Sequence, residues 1–261
     1  MNRLHLAILS GLICFTGLAQ ANKASQKPMI VGGQEAVKGE FPFIVSLQDS
    51  SGHFCGGSLI KPDWVLTAGH CVDGTSLDKI VIGLHEQGVM TDTETMTVKK
   101  VISHPQFSRQ TVDYDFALIQ LSQKSHFQPV DISSVEMKNP GGSEPAINFV
   151  AAGWGALDQG SYSLAPKLMK VTVPLVEQKA CVEAYKGFSE VTDRMICAGY
   201  EEGAKDACQG DSGGPMVLRD STGQAKLVGV VSWGKGCAQP KAYGVYSRVS
   251  SVYDWVEKAA Q

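Results

Sequence analysis

Three segments of the sequence contain residue types that together could attack a carbonyl group. One apolar run ends at His70, another begins just after Asp115, and Ser212 stands in the run Gly-Asp-Ser-Gly-Gly-Pro. A serine hydroxyl is almost wholly protonated at neutral pH, so it needs a base within hydrogen-bond reach. An imidazole with its ordinary pKa of about 6.5 can accept that proton, and a carboxylate can orient the ring and stabilise its charge. His70, Asp115 and Ser212 are therefore candidates for a nucleophile, its base and the group that orients the base.

The surroundings of Ser212 are the most specific of these signals. A histidine or an aspartate alone at a strand end is more often structural or solvated than catalytic. A serine on a tight glycine-rich turn, in contrast, presents its hydroxyl outward and leaves backbone N–H groups free to face a substrate carbonyl. The segment from Asp206 to Pro215 thus predicts a site for a developing negative charge.

The elements that must position these residues are predicted to be mostly short strands. Runs rich in β-branched and aromatic residues recur along the chain, each bounded by Gly, Pro, Asn, Asp or Ser. This pattern is typical of an antiparallel sandwich or barrel, and two barrels that fold as one unit fit it better than two independent domains. The predicted strands are Phe43–Gln48, Trp64–Ala68, Lys79–Leu84, Met96–Ser103, Phe116–Leu121, Ile147–Ala152, Lys170–Val176 and Leu227–Trp233.

Only the C-terminus has a clear helical pattern. Val252, Trp255, Val256 and Ala259 recur at the spacing of one helix face. One of the two serines at 250–251 is the predicted N-cap. We expect this helix to pack its apolar stripe on the domain.

The N-terminus has the features of a secretory signal peptide. Arg3 precedes an apolar run over 4–19, and Ala19-Gln20-Ala21 has the small-x-small pattern of a cleavage site. The alternative is a membrane anchor, but the run is interrupted by polar residues and is short for a hydrocarbon core of about 30 Å. We predict a signal peptide over 1–21 and no membrane association after its removal.

Composition excludes several classes of protein. The chain has 261 residues, of which 43% are hydrophobic and 19% are charged. This apolar content is enough for a folded core, so a disordered chain is excluded. Glycine shows no three-residue period, so collagen-like structure is excluded as well. The net charge of -3 offers no basic field for phosphates, so nucleic acid is not an expected partner.

The cysteines agree with an exported protein. One of the seven, Cys14, lies in the predicted signal peptide and leaves an even set for disulfides. Spacing alone does not choose among the possible pairings. Zinc is the competing interpretation, but the chain has neither a Cys-x-x-Cys pair nor a His-Glu-x-x-His run, so we predict no metal site.

Taken together, the motifs resemble those of the chymotrypsin family of secreted serine proteases, in its trypsin-like branch. The order His, Asp, Ser is that of this family rather than that of subtilisins or α/β-hydrolases. The resemblance extends from Ile30 to the C-terminal helix and implies a peptidase domain over 30–261, with two packed six-stranded antiparallel β-barrels, a cleft between them and a C-terminal α-helix. The matching runs are Ile30-Val31-Gly32-Gly33, Gly69-His70-Cys71, Asp115-Phe116-Ala117-Leu118-Ile119, Gly153-Trp154-Gly155, Gly210-Asp211-Ser212-Gly213-Gly214-Pro215 and Ser232-Trp233-Gly234.

The resemblance also implies a role for each site residue. His70, Asp115 and Ser212 form the catalytic triad, and the backbone N–H groups of Gly210 and Ser212 form the oxyanion hole. Each such donor is worth roughly 3 kcal/mol because it faces charge that appears only in the transition state. The substrate pocket has Asp206 at its base and is completed by Ala207, Ser232, Trp233, Gly234 and Gly244.

The pocket predicts specificity. A carboxylate at the end of a narrow slot attracts a long cationic side chain, so we expect endopeptidase cleavage after Arg or Lys through an acyl-enzyme. Ala207 stands where trypsin has a serine, and without that hydroxyl an ammonium has one partner fewer. The planar guanidinium of Arg is therefore expected to be preferred.

A zymogen follows from the same resemblance. The pro-segment is 22–29, and its removal frees the α-amino group of Ile30 to pair with Asp211 and order the site. The alternative for Asp211 is a carboxylate that caps local N–H groups. Met29 precedes the cleaved bond where a basic residue is usual, so we expect an activating protease of different specificity rather than autoactivation.

Disulfides and ions are the remaining points. By resemblance, the pairs are Cys55 with Cys71, Cys181 with Cys197, and Cys208 with Cys237. Tyr243 stands where an aromatic residue accompanies a sodium site in the clotting-factor branch; the alternative is an ordinary loop residue without an ion. The loop that binds calcium in trypsin has Glu86, Asp92 and Glu94, but their spacing does not match, so no calcium site is predicted.

The expected protein is a secreted, extracellular monomer. Its partners are protein or peptide substrates, an activating protease and protein protease inhibitors. The alternative function is a non-catalytic secreted binding module on the same fold, which would need none of the site residues. A chymotrypsin- or elastase-like preference is the nearer rival within the enzyme class, and Asp206 argues against it.

Overall fold

The chain forms two mainly antiparallel sheets, one closed into a barrel and one curled into a half-barrel, which confirms the predicted all-β class with two barrels. The computed structural model describes residues 32–138, 146–157, 160, 161 and 163–261. The predicted signal peptide, the pro-segment and Ile30 lie outside the described residues. The strands are β1 Gln34–Glu35, β2 Ile44–Asp49, β3 Gly52–Lys61, β4 Trp64–Thr67, β5 Lys79–Ile82, β6 Glu94–Met96, β7 Val98–Ser103, β8 Ala117–Leu121, β9 Asp131–Ile132, β10 Asn148–Gly153, β11 Met169–Val176, β12 Met195–Ala198, β13 Pro215–Arg219, β14 Ala225–Trp233 and β15 Gly244–Arg248.

The two sheets differ in how they close. The N-terminal sheet runs in the order β6-β5-β2-β3-β4-β8-β7 and curls into a half-barrel. The C-terminal sheet has six strands in the order β11-β10-β13-β14-β15-β12, and β12 pairs back with β11 to close the barrel. The short β1 adds to β11, and β9 runs parallel to β14 at the margin.

Alternation along the strands builds the cores. In β11 the side chains of Met169, Val171, Val173 and Leu175 are buried while the intervening ones are more exposed, as the two-residue period of a strand requires. In β4 all four side chains are buried. Each fully buried aliphatic side chain of this kind contributes roughly 1.5–3 kcal/mol.

The C-terminal helix forms as predicted, but its start differs. A 3₁₀ turn spans Val249–Val252 and the helix α2 spans Tyr253–Ala259, with Val252 and Val256 buried against the N-terminal core. The predicted serine cap is wrong, because the hydroxyl of Ser251 donates to the carbonyl of Arg248 at 2.6 Å inside the 3₁₀ turn. A second helix, α1, spans Gln178–Ala184 and was not predicted. Neither helix, nor any other in the described part of the chain, is long and apolar enough to cross a membrane.

Candidate active site

His70 and Asp115 meet because their strands are antiparallel neighbours. Thr67 at the end of β4 pairs with Ala117 at the start of β8. The residues just after β4 therefore lie beside those just before β8. His70 sits in the 3₁₀ turn Gly69–Cys71 that follows β4, so the register of two buried strands places the imidazole and the carboxylate side by side.

The carboxylate of Asp115 is buried, and both of its oxygens accept hydrogen bonds. Its Oδ1 accepts the backbone N–H of His70 at 2.8 Å, and its Oδ2 accepts from His70 Nδ1 at 2.8 Å and from the hydroxyl of Ser232 at 2.5 Å. Because a carboxylate only accepts, Nδ1 of His70 carries the proton. In the neutral ring, Nε2 is then the basic atom.

Ser212 lies on a turn held between the two barrels. Its carbonyl accepts from the backbone N–H of Gly56 in β3 at 2.7 Å, while the N–H of Gly213 donates to Val231 in β14 at 2.8 Å. Among the described residues, no hydrogen bond joins Ser212 Oγ to His70. Such contacts are often long in the absence of substrate and tighten in the complex.

Gly210 has a backbone conformation that explains the residue type. Its φ is +95°, in the region that favours glycine, and an added Cβ would lie 2.6 Å from Cδ2 of Leu164. Its carbonyl accepts from Nε2 of the buried His53 at 2.8 Å. This hydrogen bond from the N-terminal barrel fixes the peptide group between Gly210, a predicted oxyanion-hole residue, and Asp211.

His53 is a part of this arrangement that the sequence analysis missed. Its Nδ1 accepts from the hydroxyl of Ser46 at 2.8 Å, since Nε2 must carry the proton donated to Gly210. Burial lowers the pKa of His53 to about 4, so the ring is neutral near pH 7. A lone histidine on a strand gives no sequence signal that distinguishes it from an ordinary core residue.

Asp211 points away from Ser212 into the interior. It accepts the backbone N–H groups of Gly155 at 2.7 Å and Cys208 at 2.8 Å. An added Cβ on Gly155 would lie 2.2 Å from Oδ2 of Asp211, so this carboxylate requires glycine there. Burial raises the pKa of Asp211 to about 6, against the opposing effect of the two hydrogen bonds. These contacts are those of a local cap, and the pairing with Ile30 stays a prediction.

A cavity of about 230 Å³ opens beside Ser212. Asp206 is 3% exposed at the cavity wall, and its Oδ2 accepts the backbone N–H of Ala238 at 3.1 Å. Its Oδ1 is buried and has no hydrogen-bond partner among the described residues. All the predicted pocket residues line this cavity: Asp206, Ala207, Ser232, Trp233, Gly234 and Gly244.

The two pocket glycines differ in what they allow. A Cβ on Gly244 would lie 2.7 Å from Oδ1 of Asp206, so glycine is needed for the carboxylate to occupy its position. A Cβ on Gly234 would meet only atoms at 3.5 Å or more, so packing does not require glycine there. Because Asp206 is buried and one of its oxygens has no partner, its ionised form is costly, and burial raises the pKa of Asp206 to about 7.

Three disulfides form with the pairings that the resemblance implied. The Cα–Cα distances are 6.2 Å for Cys55–Cys71, 6.2 Å for Cys181–Cys197 and 5.4 Å for Cys208–Cys237. The first fixes the turn that contains His70 to β3, and the third flanks the cavity. Cys55, His70 and Cys71 approach one another closely enough to hold a metal, but both sulfurs are already covalently bonded.

The acidic residues of the loop that corresponds to the calcium loop of trypsin do not converge. Asp92 pairs with Lys38 at 2.8 Å, and Glu94 accepts from Ser125 at 2.6 Å and from His126 at 2.8 Å. No three acidic groups in the described part of the chain lie within ligand distance of one another. The absence of a calcium site at this loop stays a prediction. At the other candidate ion position, the carbonyl of Tyr243 accepts a hydrogen bond from the hydroxyl of Tyr185.

Comparisons with known proteins agree with this geometry. The family model for trypsin matches residues 30–256. Trypsin 5G1 of Aedes aegypti is 46% identical over 236 residues, which cover 88% of this chain and 85% of that protein. Trypsin Blo t 3 of Blomia tropicalis is 39% identical over 261 residues, covering 94% and 96% of the two chains. Trypsin-1 of Astacus astacus is 42% identical over 241 residues, covering 88% of this chain and all of that protein. The chain belongs to the trypsin family of serine endopeptidases.

Proposed function

We propose that the protein hydrolyses peptide bonds after Arg, and more slowly after Lys, through the triad His70, Asp115 and Ser212. The observation that supports this most is the buried carboxylate of Asp206 in the same cavity as Ser212. A substrate side chain that enters the cavity brings its peptide carbonyl beside Ser212. A cationic head group there supplies the partner that Oδ1 of Asp206 lacks.

The chemical steps follow from the proton positions. Nε2 of His70 accepts the proton of Ser212 as Oγ bonds to the carbonyl carbon, and the resulting imidazolium stays paired with Asp115. The carbonyl oxygen becomes negative and is bound by the N–H groups of Gly210 and Ser212. His70 then protonates the leaving amine, the C–N bond breaks, and an acyl-enzyme remains on Ser212. A water molecule, deprotonated by the same ring, then bonds to the acyl carbon. His70 returns that proton to Oγ of Ser212 as the ester bond breaks, which releases the acid and restores the enzyme.

The preference for Arg rests on the position of Ala207. This side chain lines the cavity beside Asp206 but has no polar atom to contact an ammonium. The guanidinium of Arg reaches a carboxylate through two parallel N–H groups, whereas the ammonium of Lys relies on several separate acceptors. The missing hydroxyl therefore weakens the binding of an Arg side chain less than the binding of a Lys side chain.

We further propose that the protein is secreted as a zymogen. The support is the predicted signal peptide over 1–21 together with the environment of Asp211. That carboxylate is completely buried, and its hydrogen bonds come only from backbone N–H groups among the described residues. An α-ammonium at Ile30, formed when the bond after Met29 is cut, supplies a compensating charge.

The test is a panel of initial rates on matched peptide amides that end in Arg, Lys, Phe or Ala. Protein with a confirmed Ile30 N-terminus is compared with the uncut chain and with Ser212→Ala. We expect turnover of Arg above Lys, little turnover of Phe or Ala, and none by the variant or the uncut chain. Turnover of Phe or Ala alone would overturn the pocket assignment. No turnover of any peptide would favour the binding-module alternative.

A further inference from the structure

The residue two positions before Asp115 ties the catalytic loop to the other barrel. Oδ1 of Asp113 accepts from Nε of Arg194 at 3.1 Å and from the hydroxyl of Thr192 at 2.9 Å, and Oδ2 accepts from Nη2 of Arg194 at 2.7 Å. Arg194 and Thr192 precede β12 in the C-terminal barrel, whereas Asp113 precedes β8 in the N-terminal one. The paired side chains are 32% and 17% exposed. This two-pronged contact has the geometry that makes Arg–carboxylate pairs directional.

The backbone on either side of Asp113 is strained. Val112 has φ +53° and Tyr114 has φ +49°. Non-glycine residues rarely adopt this region, and a β-branched residue does so only when its surroundings enforce it. Asp115 follows directly, so the direction of its carboxylate depends on this conformation.

Two further contacts hold Tyr114 in place. Its ring stacks on His104 with centroids 4.6 Å apart, and the guanidinium of Arg194 lies 5.1 Å from the Tyr114 ring centroid. His104 in turn contacts Trp255 of α2 at 4.7 Å and donates its backbone N–H to Phe116 at 2.9 Å. Arg194 thus contacts Asp113 and Tyr114, the two residues that immediately precede Asp115.

We infer that Arg194 is a positioning residue for catalysis, acting through Asp113 and Tyr114 on the orientation of Asp115. By holding Val112 and Tyr114 in their left-handed conformations, Arg194 keeps the carboxylate of Asp115 directed at Nδ1 of His70. Because the pair joins the two barrels, it also fixes His70 and Asp115 relative to Ser212. This inference rests on the proposed function.

The variant Arg194→Met tests the inference while keeping most of the apolar stem. We expect kcat per active site to fall about tenfold with KM within about twofold, because even a displacement of about 1 Å can cost up to about 100-fold in rate. The acidic limb of the pH profile should also move to lower pH, since the imidazolium is less well stabilised. Arg194→Lys should restore part of kcat.

A matched control is available in Arg219→Met. Arg219 also lies against a ring, with its guanidinium 5.0 Å from the centroid of Phe41, and its side chain is 29% exposed. Its hydrogen bonds go to the carbonyls of Gly223 and Glu40 rather than to the Val112–Tyr114 loop. Its replacement should leave kcat and the pH profile unchanged. Active-site titration corrects both variants for the folded fraction, and Asp113→Asn provides a second variant in case Arg194→Met folds poorly.

A spectroscopic readout separates this inference from the proposed function. The proton on Nδ1 of His70 gives a low-field NMR signal that reports its hydrogen bond to Asp115. We expect that signal to shift in Arg194→Met and in Asp113→Asn but not in Arg219→Met, whether or not the protein turns over peptides. An unchanged signal, with kcat per active site equal to that of the control, would overturn the role of Arg194. If the unmodified protein hydrolysed no peptide at all, the proposed function would be overturned instead.

Discussion

At the scale of single residues, the site depends on carboxylates in three different environments. Asp115 accepts three hydrogen bonds, Asp211 accepts two from the backbone, and Asp206 has one oxygen without a partner. A buried carboxylate that lacks donors is the one that gains most from a cationic ligand. Asp206 is therefore the carboxylate whose role is measured most directly by the binding of a cationic ligand.

The raised pKa of Asp206 predicts pH-dependent binding of cations. Burial raises this pKa from 3.8 to about 7, so the free carboxyl group is protonated at lower pH. The stability contributed by this carboxyl group is accordingly fully present below about pH 3.8 and is lost progressively as pH rises to about 7. A cation needs the ionised form, so its association constant should fall about tenfold per pH unit below pH 7 and level off above it.

Calorimetric titration with benzamidinium from pH 5 to 9 measures this dependence. Binding below pH 7 should release protons to the buffer, and Asp206→Asn should bind weakly at every pH. A constant affinity in the unmodified protein across the range would show that Asp206 is already ionised and would contradict the prediction.

Residues in strong local motifs were predictable from the sequence, whereas residues defined only by packing were not. His70, Asp206 and Ser212 stand in runs whose residue types predict their roles, and the structure brings all three to one cleft. His53, Asp113 and Arg194 contribute through partners far along the chain, and no spacing in the sequence records those contacts. Ser232 was assigned to the pocket, which it lines, but its hydrogen bond to Asp115 is visible only in three dimensions.

At the scale of elements, the strongly apolar strands were predictable and the glycine-rich or short ones were not. The β-branched runs at β4, β8 and β11 lie within about two residues of their predicted bounds. The long strand β3 contains two adjacent glycines. The short strand β12 contains a cysteine, β13 begins with a proline, and β15 begins with a glycine. In these strands, cross-strand pairing outweighs local preference.

The contacts of Asp92 and Glu94, at the loop before β6, predict a stability that does not depend on calcium. Glu94 is held by Ser125 and His126, and Asp92 by Lys38, so binding calcium would first break these contacts. Thermal unfolding in millimolar calcium and in a chelator should give melting temperatures within about 1 °C of each other. Glu94→Gln should lower the melting temperature equally in both conditions. A calcium-dependent rise of several degrees, abolished by Glu94→Gln, would contradict this account.

At the scale of the whole molecule, neither barrel contains a complete site. The N-terminal barrel supplies His70 and Asp115, and the C-terminal barrel supplies Ser212 and the cavity around Asp206. Hydrogen bonds from Gly56 to Ser212 and from Ser232 to Asp115 cross between the barrels. The two barrels and their order along the chain were predictable from the motifs, but the contacts that align them were not.

The most direct test of the central claim is to trap the acyl-enzyme on Ser212. Protein with an Ile30 N-terminus is incubated with a guanidinobenzoate ester, whose arginine-like acyl group is released slowly, and the modified peptide is identified by mass spectrometry. We predict one acyl group per molecule on Ser212, none in Ser212→Ala, and little in Asp206→Asn. Hydrolysis of the ester with the acyl group on another residue, or labelling that survives in Ser212→Ala, would contradict the account.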